Sequence, residues 1–86
     1  MSEREKIEIV GAGFVGTKWA DEEDRLIKLK VNGDDVEVFI SHPNRVLRGE
    51  VEPITVIWEG AIDFEGNRSE FVKRYPNLAK KLKEVI

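Results

Sequence analysis

The sequence predicts a small, mainly β protein: a strongly bent antiparallel sheet or a small barrel of about five strands, with a helix at the C-terminus. Apolar and charged residues alternate with a period of two over 26–40, as they do in half-buried strands. Residues 54–64 are rich in β-branched and aromatic side chains, which favour strands. Residues 71–86 instead carry apolar side chains at spacings of three and four, the period of an amphipathic helix.

Length and composition narrow the class of protein. A chain of 86 residues with 41% hydrophobic and 36% charged residues predicts one folded domain over 1–86 with a modest core. The absence of cysteine excludes disulfides and thiolate chemistry, and the absence of Gln beside abundant Glu, Lys and Arg is typical of thermophilic proteins. No apolar run is long enough for a membrane span and the N-terminus is too charged for a signal peptide, so we expect a cytoplasmic protein with no membrane contact.

The first element, residues 6–15, combines an apolar run with glycines. Gly11, Gly13 and Gly16 have the G-x-G-x-x-G spacing that opens a dinucleotide-binding turn when a crossover helix follows the strand. About eight residues separate Gly16 from the next strand, too few for that helix, and the acidic run over 21–24 would repel a pyrophosphate. We therefore expect a strand bent or bulged at its glycines, where a neighbouring backbone comes close, and then a solvated acidic connection. Binding of a dinucleotide or another small ligand is a distant alternative.

The segment LIKLKVNGDDVEVFI predicts a β-hairpin. A loop centred on Gly33 and Asp34, with Gly first as a type II′ turn prefers, pairs Val31 with Val36 and aligns the apolar positions on one face. A turn at Asn32-Gly33 would instead set Val31 against Asp34, so the apolar pattern favours the first register.

Phe39 is the unusual residue of this hairpin. In the favoured register it lies beside Lys28 on the face opposite the core, while Lys30 faces Glu37. An aromatic side chain there implies a second buried surface, formed either within the chain or with a partner.

Residues 41–53 contain two prolines, an asparagine and a glycine, and predict a loop with a short strand around 46–47. The strand-like run over 54–64 is expected to break near Gly60, and 65–67 are expected to form a turn.

The C-terminal apolar stripe predicts a helix that covers the sheet. Ser69 is the expected N-cap, and Pro76 is expected to interrupt the helix, which restarts at Pro76 or Asn77. Short strands with a terminal helix of this kind predict a bent sheet or an SH3-like barrel.

Four segments resemble the small archaeal 7 kDa chromatin proteins. In IKLKVNGDDVEVFIS (27–41), alternating Lys and apolar residues lead to a Gly, two acids and a strand ending in Ile-Ser, as in the first hairpin of that family. RVLR (45–48) and ITVIW (54–58) fall where its next hairpin lies, and YPNLAKKLKEV (75–85) resembles its proline-led terminal helix. The resemblance implies an SH3-like barrel that binds duplex DNA on a three-stranded face and widens the minor groove with apolar wedges.

A nucleic-acid site on such a barrel would use the basic side chains of the hairpin and of 45–48, with an apolar residue where the family has its wedge tryptophan. The residues expected there are Lys28, Lys30, Arg45, Leu47, Arg48 and Thr55. The net charge of −3 opposes attraction to a polyanion, although residues 67–86 carry six basic and two acidic side chains.

Few residues suggest chemistry. His42 is the only histidine, and it precedes Pro43 in a predicted exposed turn. No pattern brings a nucleophile, a base and an acid together as a catalytic triad, and the acids over 21–24 lack the spacing of a calcium loop. We therefore expect no catalytic residue, no metal and no cofactor, and hence a protein that is not an enzyme.

The function that fits these observations is a non-enzymatic interaction module that binds a protein partner or self-associates. The expected contact is the sheet face around Leu26, Phe39 and Ile57, or an open strand edge. Binding of duplex DNA on an SH3-like barrel is the alternative, and phosphate contacts would make it strongly salt-dependent.

Overall fold

A computed structural model describes residues 6–16 and 22–83 of the chain and contains one antiparallel sheet with short helices. The strands are β1 (Ile7–Gly16), β2 (Glu23–Val31), β3 (Asp34–Ile40), β4 (Ile54–Trp58) and β5 (Ala61–Gly66), and the helices are α1 (Pro43–Leu47), α2 (Arg68–Arg74) and α3 (Pro76–Leu82). The strands follow one another in chain order across the sheet, so β1 and β5 are its two edges and the barrel does not close. The predicted mainly β fold is confirmed as its open-sheet form.

The core lies between one face of the sheet, the inner face, and the two C-terminal helices. Alternate residues of β2, β3 and β4 point into it, as the period of two predicts. Phe71, Leu78 and Leu82 meet them from α2 and α3, which confirms the predicted helical cover. Val72, predicted in the same stripe, is exposed instead, and 85–86 lie outside the described residues. In the described part of the chain no helix is long and apolar enough to cross a membrane.

The β2–β3 hairpin is confirmed, but its predicted register is wrong. Val31 lies opposite Asp34 rather than Val36, and Lys30 lies opposite Asp35. The two registers differ by two residues, and a shift of two leaves every side chain on the same face. The apolar pattern is therefore equally compatible with both.

Turn chemistry decides the register. Asn32 has φ 53° and Gly33 has φ 91°, and a type I′ turn requires a positive φ at both central positions. Asn and Gly are the residues that adopt this conformation at least cost. Asp34, which the turn places opposite Val31, accepts a hydrogen bond from Trp58 Nε1 at 3.1 Å. The carboxylate therefore has a partner at the end of the core.

Helices α2 and α3 are separated at Pro76, as predicted, because proline cannot continue the hydrogen-bond pattern of α2. The N-cap of α2 is Asn67 rather than Ser69, so that prediction is wrong. Asn67 Oδ1 accepts from the Glu70 N–H at 2.9 Å, and Glu70 Oε1 accepts from the Asn67 N–H at 3.4 Å. This capping box needs an N-cap three residues before Glu70, a spacing that Ser69 does not have.

The remaining segments differ from the prediction in two places. Residues 46–47 belong to α1 rather than to a strand, because Pro43 suits the first turn of a helix and His42 Nδ1 caps it by accepting from the Asn44 N–H at 3.1 Å. The predicted turn over 65–67 is also wrong, since β5 continues to Gly66. The break near Gly60 is confirmed as the turn between β4 and β5.

The glycine-rich strand β1 is confirmed, with a bulge between Ile9 and Gly11. It pairs antiparallel with β2, whereas a dinucleotide-binding turn joins parallel strands through a helix. A Cβ added at Gly11 or Gly13 would meet no atom within 4 Å, so the expected close approach of a neighbouring backbone is wrong. The predicted acidic connection over 21–24 is wrong for residues 23–24, which begin β2, while residue 21 lies outside the described part.

Candidate functional site

Strand β1 is the most exposed apolar element of the sheet. Val10 and Phe14 each retain 62% of their surface, and Val15 retains 41%. After Glu8 the strand carries no charged side chain up to Gly16. Natural sheets commonly prevent unwanted strand pairing at an edge by keeping the edge strand short or charged. Strand β1 is ten residues long and largely uncharged, so it has neither feature.

The opposite edge is different. Strand β5 has six residues and carries Asp63 and Glu65. A short, acidic edge discourages pairing with another strand, because a partner would have to desolvate the carboxylates. Ile62 is 64% exposed there, but it stands beside these charges. The two edges therefore differ in length and charge, and only β1 suits a further strand.

The backbone of β1 is arranged to pair on its open side. The Lys6 C=O accepts from the Asn32 N–H at 2.8 Å, so Lys6 directs its polar groups towards the β2–β3 hairpin. Along an antiparallel strand, successive residues direct their N–H and C=O groups alternately towards one neighbour and the other. The bulge between Ile9 and Gly11 inserts one residue and so shifts this alternation by one position. Beyond the bulge, Ala12 and Phe14 consequently direct their N–H and C=O groups towards the open edge.

A neighbouring side chain orients Phe14. The guanidinium of Arg25, which lies opposite Phe14 in the register, sits 5.1 Å from the centroid of its ring. A cation over an aromatic face is attracted by the ring quadrupole. Phe14 is thus held on the inner face of the sheet, in line with Ala12 and Ile27.

The residues predicted to form a sheet-face contact lie on the face of the sheet that is opposite the helices, the outer face. Leu26 and Phe39 lie directly opposite each other, so the expected position of Phe39 beside Lys28 is wrong, as a consequence of the corrected register. Phe39 also neighbours Thr55 of β4, and Ile57 lies one alternate position further along the same face. The three predicted partner-binding residues are therefore near one another, and each is half-buried.

The α1-containing connection over 41–53 supplies part of the second surface expected at Phe39. Phe39, Thr55 and Val46 help to line an open groove of about 520 Å³ between this connection and the outer face. Ser41 also lines this groove, and its Oγ donates to the Glu52 C=O at 2.9 Å. The surface against Phe39 is thus at least partly intramolecular.

A buried carboxylate fixes this connection to the sheet. Asp24 is 1% exposed, and its Oδ1 accepts from the His42 N–H at 2.8 Å. Its Oδ2 forms an ion pair and hydrogen bond with Arg45 Nη1, whose side chain is 19% exposed. A buried carboxylate is tolerated only with such partners, so Arg45 has a structural role.

Two further predicted DNA-binding cations are also paired with carboxylates. Arg48 Nη2 lies 2.7 Å from Glu22 Oε1, and its Nε lies 2.6 Å from Glu50 Oε2. The hydrogen bond from Arg48, helped by its charge, lowers the pKa of Glu50. Lys30 Nζ lies 3.0 Å from Asp35 Oδ1, and this contact raises the pKa of Lys30.

The other predicted DNA-binding residues do not form one surface with these. Lys28 is exposed on the outer face opposite Glu37, and Thr55 is half-buried two strands away. Leu47, the residue that the resemblance predicts as the wedge, is 84% exposed at the end of α1. The structure thus brings the basic side chains next to acids instead of into one positive patch.

An aromatic cluster closes the other end of the core. Trp58 and Tyr75 stack with ring centroids 6.3 Å apart, and Phe64 meets Tyr75 edge-on at 5.8 Å. Burial raises the pKa of Tyr75 to about 12, and the hydrogen bond from its hydroxyl to Asp63 acts in the same direction. The cluster borders a cavity of about 250 Å³ beside Arg74. Trp58 Nε1 donates to Asp34 and the Tyr75 hydroxyl donates to Asp63, so both polar groups of the cluster have partners and the cluster serves packing.

The sequence does not single out Val10 and Phe14, the exposed apolar side chains of this edge. The signal for them is the uncharged run after Glu8, which stands out in a chain with 36% charged residues. The glycine spacing of the same run points to backbone bending instead of to its apolar side chains. Within residues 6–16 and 22–83 no three histidine, aspartate or glutamate side chains are grouped so that they could hold a metal ion.

Comparison with protein families, with curated protein sequences and with solved structures finds no significant match to this chain.

Proposed function

We propose that this protein is a non-enzymatic interaction module that binds an extended protein segment along the open edge of β1. The observation that carries the proposal is an uncharged edge strand on which Val10 and Phe14 are each 62% exposed. In strand addition, backbone hydrogen bonds supply affinity and alternate side chains supply specificity. Ala12 and Phe14 offer backbone groups of that kind.

The side chains of the β1 edge are more exposed than those of the predicted sheet face, and this favours the edge as the binding surface. Leu26, Phe39 and Ile57 are half-buried, and the connection over 41–53 already occupies part of the space beside Phe39. Binding energy from apolar contact depends on the area removed from water, and these residues have less area left to lose. The outer face can still contribute through Gly11 and Gly13, above which there is open space.

The experiment that tests the proposal uses extended peptides as the probe. A displayed library of random peptides of about ten residues is selected on the immobilised protein, and bound peptides are mapped by amide chemical-shift changes. We expect shifts concentrated in β1, with binding weakened at least about tenfold by Phe14→Glu. Ile62→Glu is the matched control, because Ile62 is equally exposed but lies on the other edge.

Two results would overturn the proposal. One is a library that yields no peptide dependent on the folded protein. The other is a set of peptides whose shifts map to β5, α2 or the outer face and whose binding Ile62→Glu weakens as much as Phe14→Glu does.

A further inference from the structure

An apolar cavity, the α2–α3 cavity, opens between the two C-terminal helices and the inner face of the sheet. It has a volume of about 100 Å³, and its apolar lining comes from two strands and both helices: Ile40, Ile54, Phe71, Val72, Ala79 and Leu82. Ile54, Phe71 and Leu82 are each at most 4% exposed, whereas Val72 is 46% exposed. The buried side chains therefore form the floor of the cavity, and Val72 lies at its mouth.

Two cationic side chains complete the lining. Arg68 is the first residue of α2 and Lys83 follows the last residue of α3, and both are exposed. Neither forms an ion pair with an acid in the part of the chain that the structure describes. In this respect they differ from Lys30, Arg45 and Arg48, which are paired with carboxylates.

The surroundings of these two cations favour an anion. Residues 67–83 carry six basic side chains and one acid, Glu70, in a chain whose net charge is −3. Glu70 belongs to the capping box of α2, where its Oε1 accepts from the Asn67 N–H. A surplus of one sign of charge around a cleft attracts ligands of the opposite sign. The positive charge at the mouth of the cavity therefore selects for a negatively charged ligand.

We propose that the α2–α3 cavity binds an aliphatic carboxylate, with its hydrocarbon tail against the apolar floor and its carboxylate at Arg68 and Lys83. Hydrogen bonds from Arg or Lys to a carboxylate are roughly twice as strong as those between neutral groups. A fully polar anion such as phosphate would leave the apolar floor in contact with water. A ligand with both an apolar and an anionic part therefore fits this lining better.

The size of the cavity limits the tail. An engineered apolar cavity of about 150 Å³ in another protein holds benzene, so a space of about 100 Å³ suits a tail of roughly four or five carbons. Each methylene group removed from water strengthens binding about fourfold. We therefore expect the affinity to rise from propanoate to hexanoate and to level off in longer carboxylates, whose further methylenes stay in water.

This site is independent of the proposed function. The residues that line the cavity belong to β3, β4, α2 and α3 or directly follow α3, whereas the proposed segment binds at β1. A peptide at the open edge and a carboxylate in the cavity therefore give chemical-shift changes in different elements.

Amide chemical-shift titrations test the site, with hexanoate as the probe at about pH 7 and constant ionic strength. We expect saturable shifts concentrated in α2 and α3, half-complete at about 1 mM. The control ligand 1-hexanol has a similar tail without the charge, and acetate has the charge without the tail. Each should bind at least about fivefold more weakly than hexanoate.

Two pairs of substitutions at exposed positions separate local charge from overall charge. Arg68→Gln combined with Lys83→Gln removes both cations of the site. Lys73→Gln combined with Lys80→Gln removes the same charge from the same helices at positions outside the cavity lining. We expect the first pair to weaken hexanoate at least about fivefold and to leave hexanol unchanged, and the second pair to change hexanoate by less than about twofold.

A third variant tests the cavity itself. Ala79 lines it and is half-buried, so Ala79→Leu places additional carbon atoms in the space that the tail would occupy. We expect this substitution to weaken hexanoate and hexanol alike, by at least about fivefold. Circular dichroism checks that each variant remains folded, and the two charge variants test the proposal without any change to the core.

Several results would overturn the proposal. Hexanoate that causes no saturable shift up to about 20 mM, or that binds no more tightly than hexanol, would do so. Equal effects of the two charge variants would show that overall charge and not this site attracts the carboxylate. Affinity that keeps rising up to decanoate would indicate adsorption of a surfactant to the basic surface. Each of these results would leave the proposed function standing, because that is tested by peptides at β1.

Discussion

Two arginines of the 41–53 connection show how burial changes the contribution of a charged side chain to stability. From the sequence, Arg45 and Arg48 are equivalent basic side chains three positions apart. In the structure, Arg45 pairs with the buried Asp24, whereas Arg48 pairs with Glu22 and Glu50 on the surface. The two arginines should therefore differ in their effect on stability.

We expect Arg45→Ala to lower the free energy of unfolding by about 3 kcal/mol, because it leaves the Asp24 carboxylate buried without its cation. Arg48→Ala should lower it by less than about 1 kcal/mol, since exposed ion pairs contribute little. Urea denaturation of the two variants measures both values. Equal losses would show that the Asp24–Arg45 pair is not buried as described.

The only tyrosine provides a pH test. Burial and Asp63 raise the pKa of Tyr75 to about 12, whereas a tyrosine in the unfolded chain ionises near pH 10. The folded state favours the neutral phenol, so this contribution to stability is complete below pH 10 and is lost as the pH rises to 12.

Absorbance of the tyrosinate ion follows this titration directly. We expect a midpoint near pH 12 in the native protein and near pH 10 in denaturant, and Asp63→Asn should move the native midpoint downward. A native midpoint near 10 would mean that the Tyr75 hydroxyl is solvated and that the aromatic cluster is looser than described.

Strand β1 and strand β5 contain glycines with opposite roles. A Cβ at Gly13 would meet nothing within 4 Å, whereas one at Gly66 would lie 2.8 Å from Glu70 Oε1 and 2.9 Å from Phe64 Cζ. In dilute protein, Gly13→Ala should raise the free energy of unfolding by about 0.5 kcal/mol, because alanine restricts the unfolded chain. Gly66→Ala should lower it by about 2 kcal/mol, because a side chain there overpacks the corner.

Thermal denaturation of the two alanine variants, recorded at the same low concentration, measures these opposite shifts. A loss of stability in Gly13→Ala comparable to that in Gly66→Ala would indicate that β1 is in close contact with another part of the chain.

The elements differ in how well the sequence predicts them. Period-two alternation identifies β2, β3 and β4, and helical spacing identifies the C-terminal cover, because in both cases burial of one face fixes the pattern. The register of the β2–β3 hairpin is not fixed by burial, since it depends on the positive φ angles of Asn32 and Gly33. Helix α1 lies in a segment with no periodicity, and its formation depends on His42 and Pro43 at its start.

The candidate site was less predictable than the fold. An open strand edge was expected as one of two contacts, but which strand would be at the edge follows from the order of the sheet. Val10 and Phe14 are exposed because of where the helices pack, and this tertiary arrangement cannot be read from the local sequence. Sequence alone could show only that 9–16 are uncharged.

At the scale of the whole molecule, charge pairing predicts the response to DNA. The net charge is −3, and Lys30, Arg45 and Arg48 are paired with acids. Phosphate contacts would require these pairs to break, so little counterion release is available to drive binding. We expect no anisotropy change of labelled duplex DNA at about 50 mM salt. Binding that falls steeply by about 200 mM salt would favour the chromatin-protein resemblance as a guide to function.

The two edges of the sheet make the molecule asymmetric as a building block. One edge is long, apolar and open, and the other is short and acidic. A molecule with two open apolar edges could pair at both and build extended assemblies, whereas one open edge leaves room for a single added strand. If the proposed function holds, the acidic edge at β5 therefore limits strand addition to one bound segment.

The measurement that tests the central claim most directly is a pair of amide NMR spectra of the protein, recorded without and with a peptide selected on it. The open edge of β1 as the contact surface predicts peptide-dependent shifts that are largest over 10–16, with β5 and α2 unchanged. Shifts centred on β5, α2 or the outer face, with β1 unaffected, would contradict it.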